Sequence, residues 1–500
     1  MVRNVQELLE NSAEKYPDKI AFKDKNNLVT YSELMIRAQS IGTFLSKRRV
    51  YNRPVIVLTD RNVESIVMFF GVVYSGNFYV PVDVNQPAER IKAIVTIIEP
   101  EMIIGRRENI SIFKFFKNTL SCIYEDIIEF ESDVFLLHNI RKKIIDTDPL
   151  CCIFTSGSTG IPKGVLKSHR SIICMAENFT EKFSFSSQDV FSNQSPFDFD
   201  VSNKNIYISI RNGSTVDIIS KEAFILPEKL IDYLNENRIS VAIWASSALC
   251  IISDLNAMKK TQPVYLKKVL FSGEVIPIRV LNYWKEKMPN TLFVNLYGPT
   301  EMTGNATYYE VSDSLNEDIL PIGKAMPDTK ILLIDDDNKI INTYNKKGEI
   351  CIGGNCLSMC YYNDAQRTSE LFIQNPLNST YPEIIYRTGD IGYINGNNDY
   401  VYVGRRDLQI KHMGYRIELT EIEAAVNSLN FISVCCCVYD EKNKKIVLFY
   451  ESTNECKTEL INGLIERLPK YMMPNKIIRL KKLPLNSHDK VDRVKLKESL

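Results

Sequence analysis

The chain has no surplus charge of either sign: 61 Lys+Arg balance 61 Asp+Glu over 500 residues. The basic excess that marks a nucleic-acid binder is missing, and so is a polybasic run for a membrane surface. Any anion-binding site must therefore be local. Histidine is scarce, at four copies, and none of the twelve cysteines falls in a Cys-x-x-Cys pair, so no zinc-site spacing is present. The doublet Cys151-Cys152 and the triplet Cys435-Cys436-Cys437 lie in apolar, β-like runs. They read as buried, reduced thiols, which fits a reducing, cytoplasmic setting. Long hydrophobic runs are lacking too. The longest, 65–81, is interrupted by Gly71, Ser75, Gly76 and Asn77. It is too short to insert in a bilayer and reads as a buried helix followed by a strand. The first ten residues form an amphipathic pattern with acidic residues rather than a signal peptide. Internal repeats and low-complexity tracts are also missing.

What is present looks like an ordinary soluble globular protein. Apolar residues make up 45% and charged residues 24%, and 500 residues exceed one hydrophobic core, so at least two domains are expected. Short apolar strands, such as 54–58, 241–244 and 268–271, alternate with amphipathic helices through most of the first 400 residues. This predicts an α/β domain of layered, mostly parallel sheets. Beyond that point the pattern changes to helix 420–429, strands 431–439 and 445–450, and helix 457–468, a small α+β domain. The polar boundary places the two domains at 1–406 and 407–500, with Asp407 as a hinge that makes the second domain mobile.

The most informative stretch is Phe154-Thr-Ser-Gly-Ser-Thr-Gly-Ile-Pro-Lys-Gly-Val165, directly after the apolar Pro149-Leu-Cys-Cys-Ile-Phe154. A Gly/Ser/Thr loop leaving a buried strand exposes backbone N–H groups and hydroxyls with little bulk, which is what a polyphosphate requires. Thr155, Ser156, Gly157, Ser158, Thr159 and Gly160 would cradle it, and Lys163 adds a positive charge. The loop is not a Walker A motif, because Pro162 precedes the lysine and Gly164 follows it.

The spelling of this loop resembles the signature of the adenylate-forming superfamily, which includes acyl-CoA synthetases, luciferases and the adenylation domains of nonribosomal peptide synthetases. Six further segments match it in order: Val29-Thr-Tyr-Ser-Glu-Leu34; Tyr79-Val-Pro-Val-Asp-Val-Asn-Gln-Pro-Ala-Glu-Arg-Ile91; Asn295-Leu-Tyr-Gly-Pro-Thr-Glu301; Tyr386-Arg-Thr-Gly-Asp390; Gly404-Arg-Arg-Asp-Leu-Gln-Ile-Lys411 with Gly414-Tyr-Arg-Ile-Glu418; and Asn486-Ser-His-Asp-Lys-Val-Asp-Arg493. The last two resemble amino-acid adenylation domains more than acyl-CoA synthetases, and within these the stand-alone D-alanine:carrier-protein ligases. The resemblance implies ATP and Mg²⁺. It implies a nucleotide site of Asn295, Leu296, Tyr297, Gly298, Pro299, Asp390, Tyr402 and Arg405, with Asp390 accepting the ribose hydroxyls and Tyr297 stacking on adenine. Thr300 and Glu301 join the catalytic set, Glu301 as the metal ligand. Lys490 carries the first step by bridging the acyl carboxylate and the phosphate. The family usually has Asn-Gly before this lysine, whereas this chain has His488-Asp489.

For the substrate, Ser195-Pro-Phe-Asp-Phe-Asp-Val-Ser202 resembles the segment whose aspartate grips an amino acid's ammonium, which points to Asp200, with Asp198 out of register. Val201, Lys204, Trp244, Leu270, Ser272, Leu296, Gly304 and Asn305 line the implied pocket. Gly304 is expected to leave space there. Lys204 is open to three roles: pairing with Asp198, solvent, or receiving a polar or acidic side chain. The expected reaction activates a small amino acid, alanine or serine ranked first, and transfers it to the phosphopantetheine thiol of a carrier protein acting in trans. The alternatives are an acyl- or aryl-acid ligase using CoA, which Asp200 opposes, and an inactive nucleotide-binding scaffold.

Overall fold

A computed structural model describes residues 2–116, 119–157, 161–312, 319–429, 431–432, 434–452, 455–485 and 491–500. The chain divides into two compact units. One comprises Met1–Val84, Ile98–Ile153 and Gly164–Arg406, and the other Asn85–Ile97, Phe154–Lys163 and Asp407–Leu500.

The first unit is α/β. Among the described residues a nine-stranded sheet has six strands in parallel succession: Leu292–Tyr297, Lys268–Ser272, Val241–Ala245, Val190–Asn193, Thr215–Ile218 and Ile20–Lys23. Antiparallel strands close both edges. A seven-stranded sheet pairs Phe78–Asp83, Pro54–Thr59, Met102–Gly105 and Leu120–Ile123 in parallel, with Pro149–Thr155 beside Phe78–Asp83. The third sheet departs from the mostly parallel expectation. Its five strands, Thr329–Ile334, Gly348–Gly354, Phe372–Gln374, Ile384–Ile394 and Tyr400–Arg405, pair antiparallel throughout. Ile384–Ile394 reaches Tyr400–Arg405 through a turn of five residues, 395–399, too short for the crossover a parallel pair needs.

The sequence patterns explain the elements. The interrupted apolar run folds as helix Val63–Tyr74 and strand Phe78–Asp83, and every residue of that helix except Glu64 is buried. A helix apolar on all faces is stable only when covered on all sides. It is started by Asn62, whose side chain accepts the Ser65 N–H at 3.0 Å. In the Val29-to-Leu34 motif, Thr30 and Glu33 form a reciprocal capping box at the start of helix Tyr31–Ser46. The central parallel strands are buried on both faces. Val241, Ile243, Leu270, Val294 and Leu296 enter one core, and Ala242, Trp244, Val269, Phe271 and Phe293 enter another.

The second unit carries the hairpin of Gln409–His412 and Tyr415–Glu418 and a three-stranded sheet of Val434–Asp440, Lys445–Glu451 and Lys476–Leu480. Helices Leu419–Asn427 and Lys457–Ile465 complete the expected α+β pattern, each ending two or three residues short of the sequence reading. The cysteine clusters lie within strands Pro149–Thr155 and Val434–Asp440 and are buried and free of disulfides. Burial pushes the Cys151 and Cys435 thiols up to about 12 and Cys436 up to about 11. Among the described residues no helix is long and apolar enough to cross a membrane.

Candidate functional site

The first unit brings two clusters of expected site residues together. The cluster expected to hold the nucleotide begins where strand Leu292–Tyr297 ends, at the carboxyl edge of parallel strands where ligand loops gather. Asn295 donates Nδ2 to the Pro321 carbonyl at 2.8 Å, so its Oδ1 keeps its accepting role. Leu296 packs into the core, and Gly298 lets the turn into Pro299 approach its neighbours: a Cβ there would lie 2.8 Å from Ala306 N. The Tyr297 hydroxyl donates to Asp390 Oδ2 at 2.5 Å, and Arg405 Nη1 lies 2.6 Å from Asp390 Oδ1. Burial, with the Asp390 charge, holds the Tyr297 hydroxyl well above its usual range. The Tyr402 ring stands 6.2 Å from that of Tyr297. The turn presenting Asp390 is fixed from below: Gly389 N donates to Glu349 Oε1 at 3.1 Å, and Asp390 N donates to Thr388 Oγ1 at 2.9 Å.

Glu301 is fully buried, and its Oε1 accepts the Tyr361 hydroxyl at 2.5 Å; that hydroxyl lies 3.1 Å from the one on Tyr386. Among the described residues no group of three His, Cys, Asp or Glu could hold a metal. One carboxylate is enough for magnesium carried chiefly by nucleotide phosphates, so the residues fit that ion and not a cage of protein ligands.

The second cluster gathers three charges, two of them buried. Asp200 opens helix Asp200–Asn212, and its Oδ1 lies 3.1 Å from Lys167 Nζ. Lys167 comes from strand Lys163–Ser168 and is itself fully buried. It also donates to the Thr300 carbonyl at 2.6 Å, which ties the cluster to the Glu301 segment. One helical turn after Asp200, Lys204 is 1% exposed and donates to Asn305 Oδ1 at 2.6 Å. Burial pulls the Lys204 ammonium down to about 8 against the opposing pull of Asp200, and Lys167 lowers it further. Of the three roles open to Lys204, solvent exposure is excluded. Val201 is half-buried beside Asp200, and Ser272 is buried at the end of its strand on the same face as Leu270.

Two pocket expectations need correction. Trp244 is fully buried on the opposite face of its strand from Ile243, donates Nε1 to Ser192 Oγ at 3.0 Å and packs edge-on against Phe224. It belongs to the second core, and its indole N–H is committed to Ser192. Gly304 leaves no space: its φ is +83°, and a Cβ there would lie 2.5 Å from Met175 Cγ. Left-handed backbone and the Met175 side chain account for this glycine.

In the second unit, Thr155 ends strand Pro149–Thr155 with its Oγ1 buried and without a hydrogen-bond partner among the described residues. Ser156 Oγ donates to the Arg416 carbonyl at 2.7 Å, and Gly157 N donates to Glu421 Oε2 at 3.1 Å. Glu421 also pairs with Arg90 at 2.8 Å, and burial raises its carboxyl pKa. Lys163 is buried at the head of its strand. Asp407, in an exposed bend, accepts the Gln409 N–H at 3.2 Å. Ser158, Thr159, Gly160 and Lys490 lie outside the described residues. Arg493, just after Lys490 in sequence, is held by Glu423 at 2.6 Å.

Comparison with known proteins fits this arrangement. The profile of the AMP-binding enzyme family matches residues 9–362. The chain belongs to that family. It is 30% identical to Zwittermicin A synthase ZmaJ of Bacillus cereus, over 98% of this chain and 94% of that one. It is also 30% identical to a D-alanine--D-alanyl carrier protein ligase of Bacillus licheniformis, over 99% of both. With ligases among such relatives, the chain is an adenylate-forming ligase. Solved structures share the fold: the Vibrio cholerae adenylation domain AlmE, in complex with glycyl-adenosine-5'-phosphate, superposes with a TM-score of 0.85 at 19% identity, over 100% of this chain and 98% of that one.

Proposed function

We propose that the chain activates a small amino acid with ATP and passes it to the phosphopantetheine thiol of a separate carrier protein. The observation that carries this reading is Asp200, a carboxylate at the start of a helix, 13% exposed, among buried polar groups. Its contacts with Lys167 and Asn203 both fall on Oδ1, which leaves Oδ2 to accept the ammonium that an amino acid brings and an acyl or aryl acid does not. The matched carrier-protein ligase supports a carrier as acceptor.

In the first half-reaction the amino-acid carboxylate attacks the α-phosphorus of ATP. A C–O–P linkage forms, the bond to the β-phosphate oxygen breaks, and pyrophosphate leaves. Asp390 binds the ribose hydroxyls, and Asn295 Oδ1 receives the adenine amine while Tyr297 and Tyr402 flank the ring. Thr155 offers its buried hydroxyl to the phosphates, with the loop through Gly160 and Lys163. Glu301 would hold magnesium, which neutralises phosphate charge. Lys490 offsets the repulsion between carboxylate and phosphate as they meet. In the second half-reaction the thiol sulfur attacks the acyl carbon, a C–S bond forms and AMP leaves. A mobile lid of residues 407–500, turning at Asp407, would serve the two steps in turn. The test is amino-acid-dependent ATP–pyrophosphate exchange with Mg²⁺. Exchange with at least one amino acid is expected. Silence across a full panel, with ATP still bound, would refute the catalytic reading and favour a nucleotide-binding scaffold.

A further inference from the structure

Lys204 is not explained by adenylation chemistry alone. It is 1% exposed, and among the described residues its Nζ makes one hydrogen bond, to Asn305 Oδ1 at 2.6 Å. An ammonium has three N–H donors. Asp200 does not serve as its hydrogen-bond partner: Asp200 Oδ1 lies 3.1 Å from Lys167 Nζ and accepts Asn203 Nδ2 at 3.2 Å. Asp200 and Lys167 therefore balance each other, and the positive charge of Lys204 remains over. Burying an ammonium without a counter-charge is costly, and a hydrocarbon side chain would fill the same volume at less cost. The retained charge calls for an anion from the ligand.

The anion is not the α-carboxylate, which must face the α-phosphorus to react. The substrate ammonium would repel Lys204. What is left is the side chain. Asn305 completes the reading, because its Oδ1 is committed to Lys204 and its Nδ2 remains a donor on the same side chain. We propose that Lys204 and Asn305 form a carboxylate subsite, and that the amino acid activated here is acidic, its side-chain carboxylate docking on Lys204. This rests on the amino-acid adenylation reading above.

The experiment is pyrophosphate exchange by the full chain with aspartate, glutamate, asparagine, glutamine, alanine and serine in both chiralities. Succinate and glutarate serve as acids lacking the amine. An acidic amino acid should exceed its own amide by about a hundredfold in kcat/KM, since a site built for a polar group leaves that group unpaired with the wrong ligand. Lys204→Met should erase that preference, and so should Asn305→Asp, which supplies Lys204 with a counter-charge from the protein. Preference of the unaltered enzyme for alanine, serine or an amide would overturn the proposal while leaving amino-acid adenylation standing. Retention of the acidic preference in Lys204→Met would overturn it too. No exchange with any of these compounds would overturn the proposal, and silence extended to the full amino-acid panel would overturn the adenylation reading with it. Equal exchange with the deaminated diacids would support the subsite but unseat Asp200 as an ammonium ligand.

Discussion

Replacing Lys204 by methionine should change the pH dependence of stability by a calculable amount. Burial moves this ammonium from 10.5 to about 8 in the folded protein. Below the folded value both states hold the proton, and the folded state bears the full penalty of a buried charge. Above 10.5 neither state holds it. In between, the unfolded chain binds a proton that the folded chain does not, so this group makes the protein more stable as pH rises through that window. At about 1.4 kcal/mol per pKa unit the total is about 3 kcal/mol. Methionine cannot titrate. The variant's stability relative to the unaltered protein should therefore fall by about 3 kcal/mol between pH 7 and 10.5. The hydrogen bond to Asn305, worth about 1 kcal/mol, shifts the whole comparison but not its slope. Urea unfolding of both proteins at several pH values measures this, and titrations common to both cancel in the difference. A difference that stays flat would mean that no buried ammonium sits at 204. A difference that rises with pH would mean that attraction to Asp200 outweighs burial.

Other substitutions separate the roles assigned above. Asp200→Asn should raise the amino-acid KM about a hundredfold in exchange assays with little change for ATP. It should also lower stability by about 3 kcal/mol, because it strands the buried Lys167. Trp244→Phe should cost about 2 kcal/mol through lost packing and an orphaned Ser192 acceptor, yet leave the ranking of amino acids in the exchange panel unchanged. Lys490→Ala should slow adenylate formation by two to three orders of magnitude or more, as loss of a transition-state donor does, while sparing transfer from a supplied aminoacyl-adenylate. Asp407→Pro, which restricts φ at the bend, should do the reverse; equal loss of both single-turnover steps in both variants would refute the alternating-lid mechanism.

The sequence was most informative where chemistry is spelled in consecutive residues. The residues expected to hold the nucleotide fall in the consecutive segments Asn295–Glu301 and Tyr386–Asp390, and the structure adds that Tyr297, Arg405 and Asp390 interlock. It was least informative where meaning depends on which way a side chain points. Trp244 sits in a strand buried on both faces, so its apolar neighbours carry no alternation to reveal its side. Gly304 looks like vacant room until the backbone angle and Met175 are seen. Lys167 was missed, although a signal existed. It is a charge directly after apolar Val165 and Leu166, in the strand that follows the Gly/Ser/Thr loop, where a partner should have been sought. That partner, Asp200, is 33 residues away in sequence, and nothing local connects them.

The buried thiols give the chain a native reporter of its own motions. Cys151 lies within strand Pro149–Thr155, Cys435 and Cys436 lie within strand Val434–Asp440, and all three titrate at about 11 to 12 while enclosed. At neutral pH almost no thiolate exists on these sulfurs, and the thiolate is the form that reacts. An alkylating reagent will therefore register each position only when its surroundings open. Mapping the labelled peptides over time would give an opening rate for the two strands separately, with no dye, tag or introduced residue. Adding nucleotide or amino acid to such a time course would show which strand each ligand quiets.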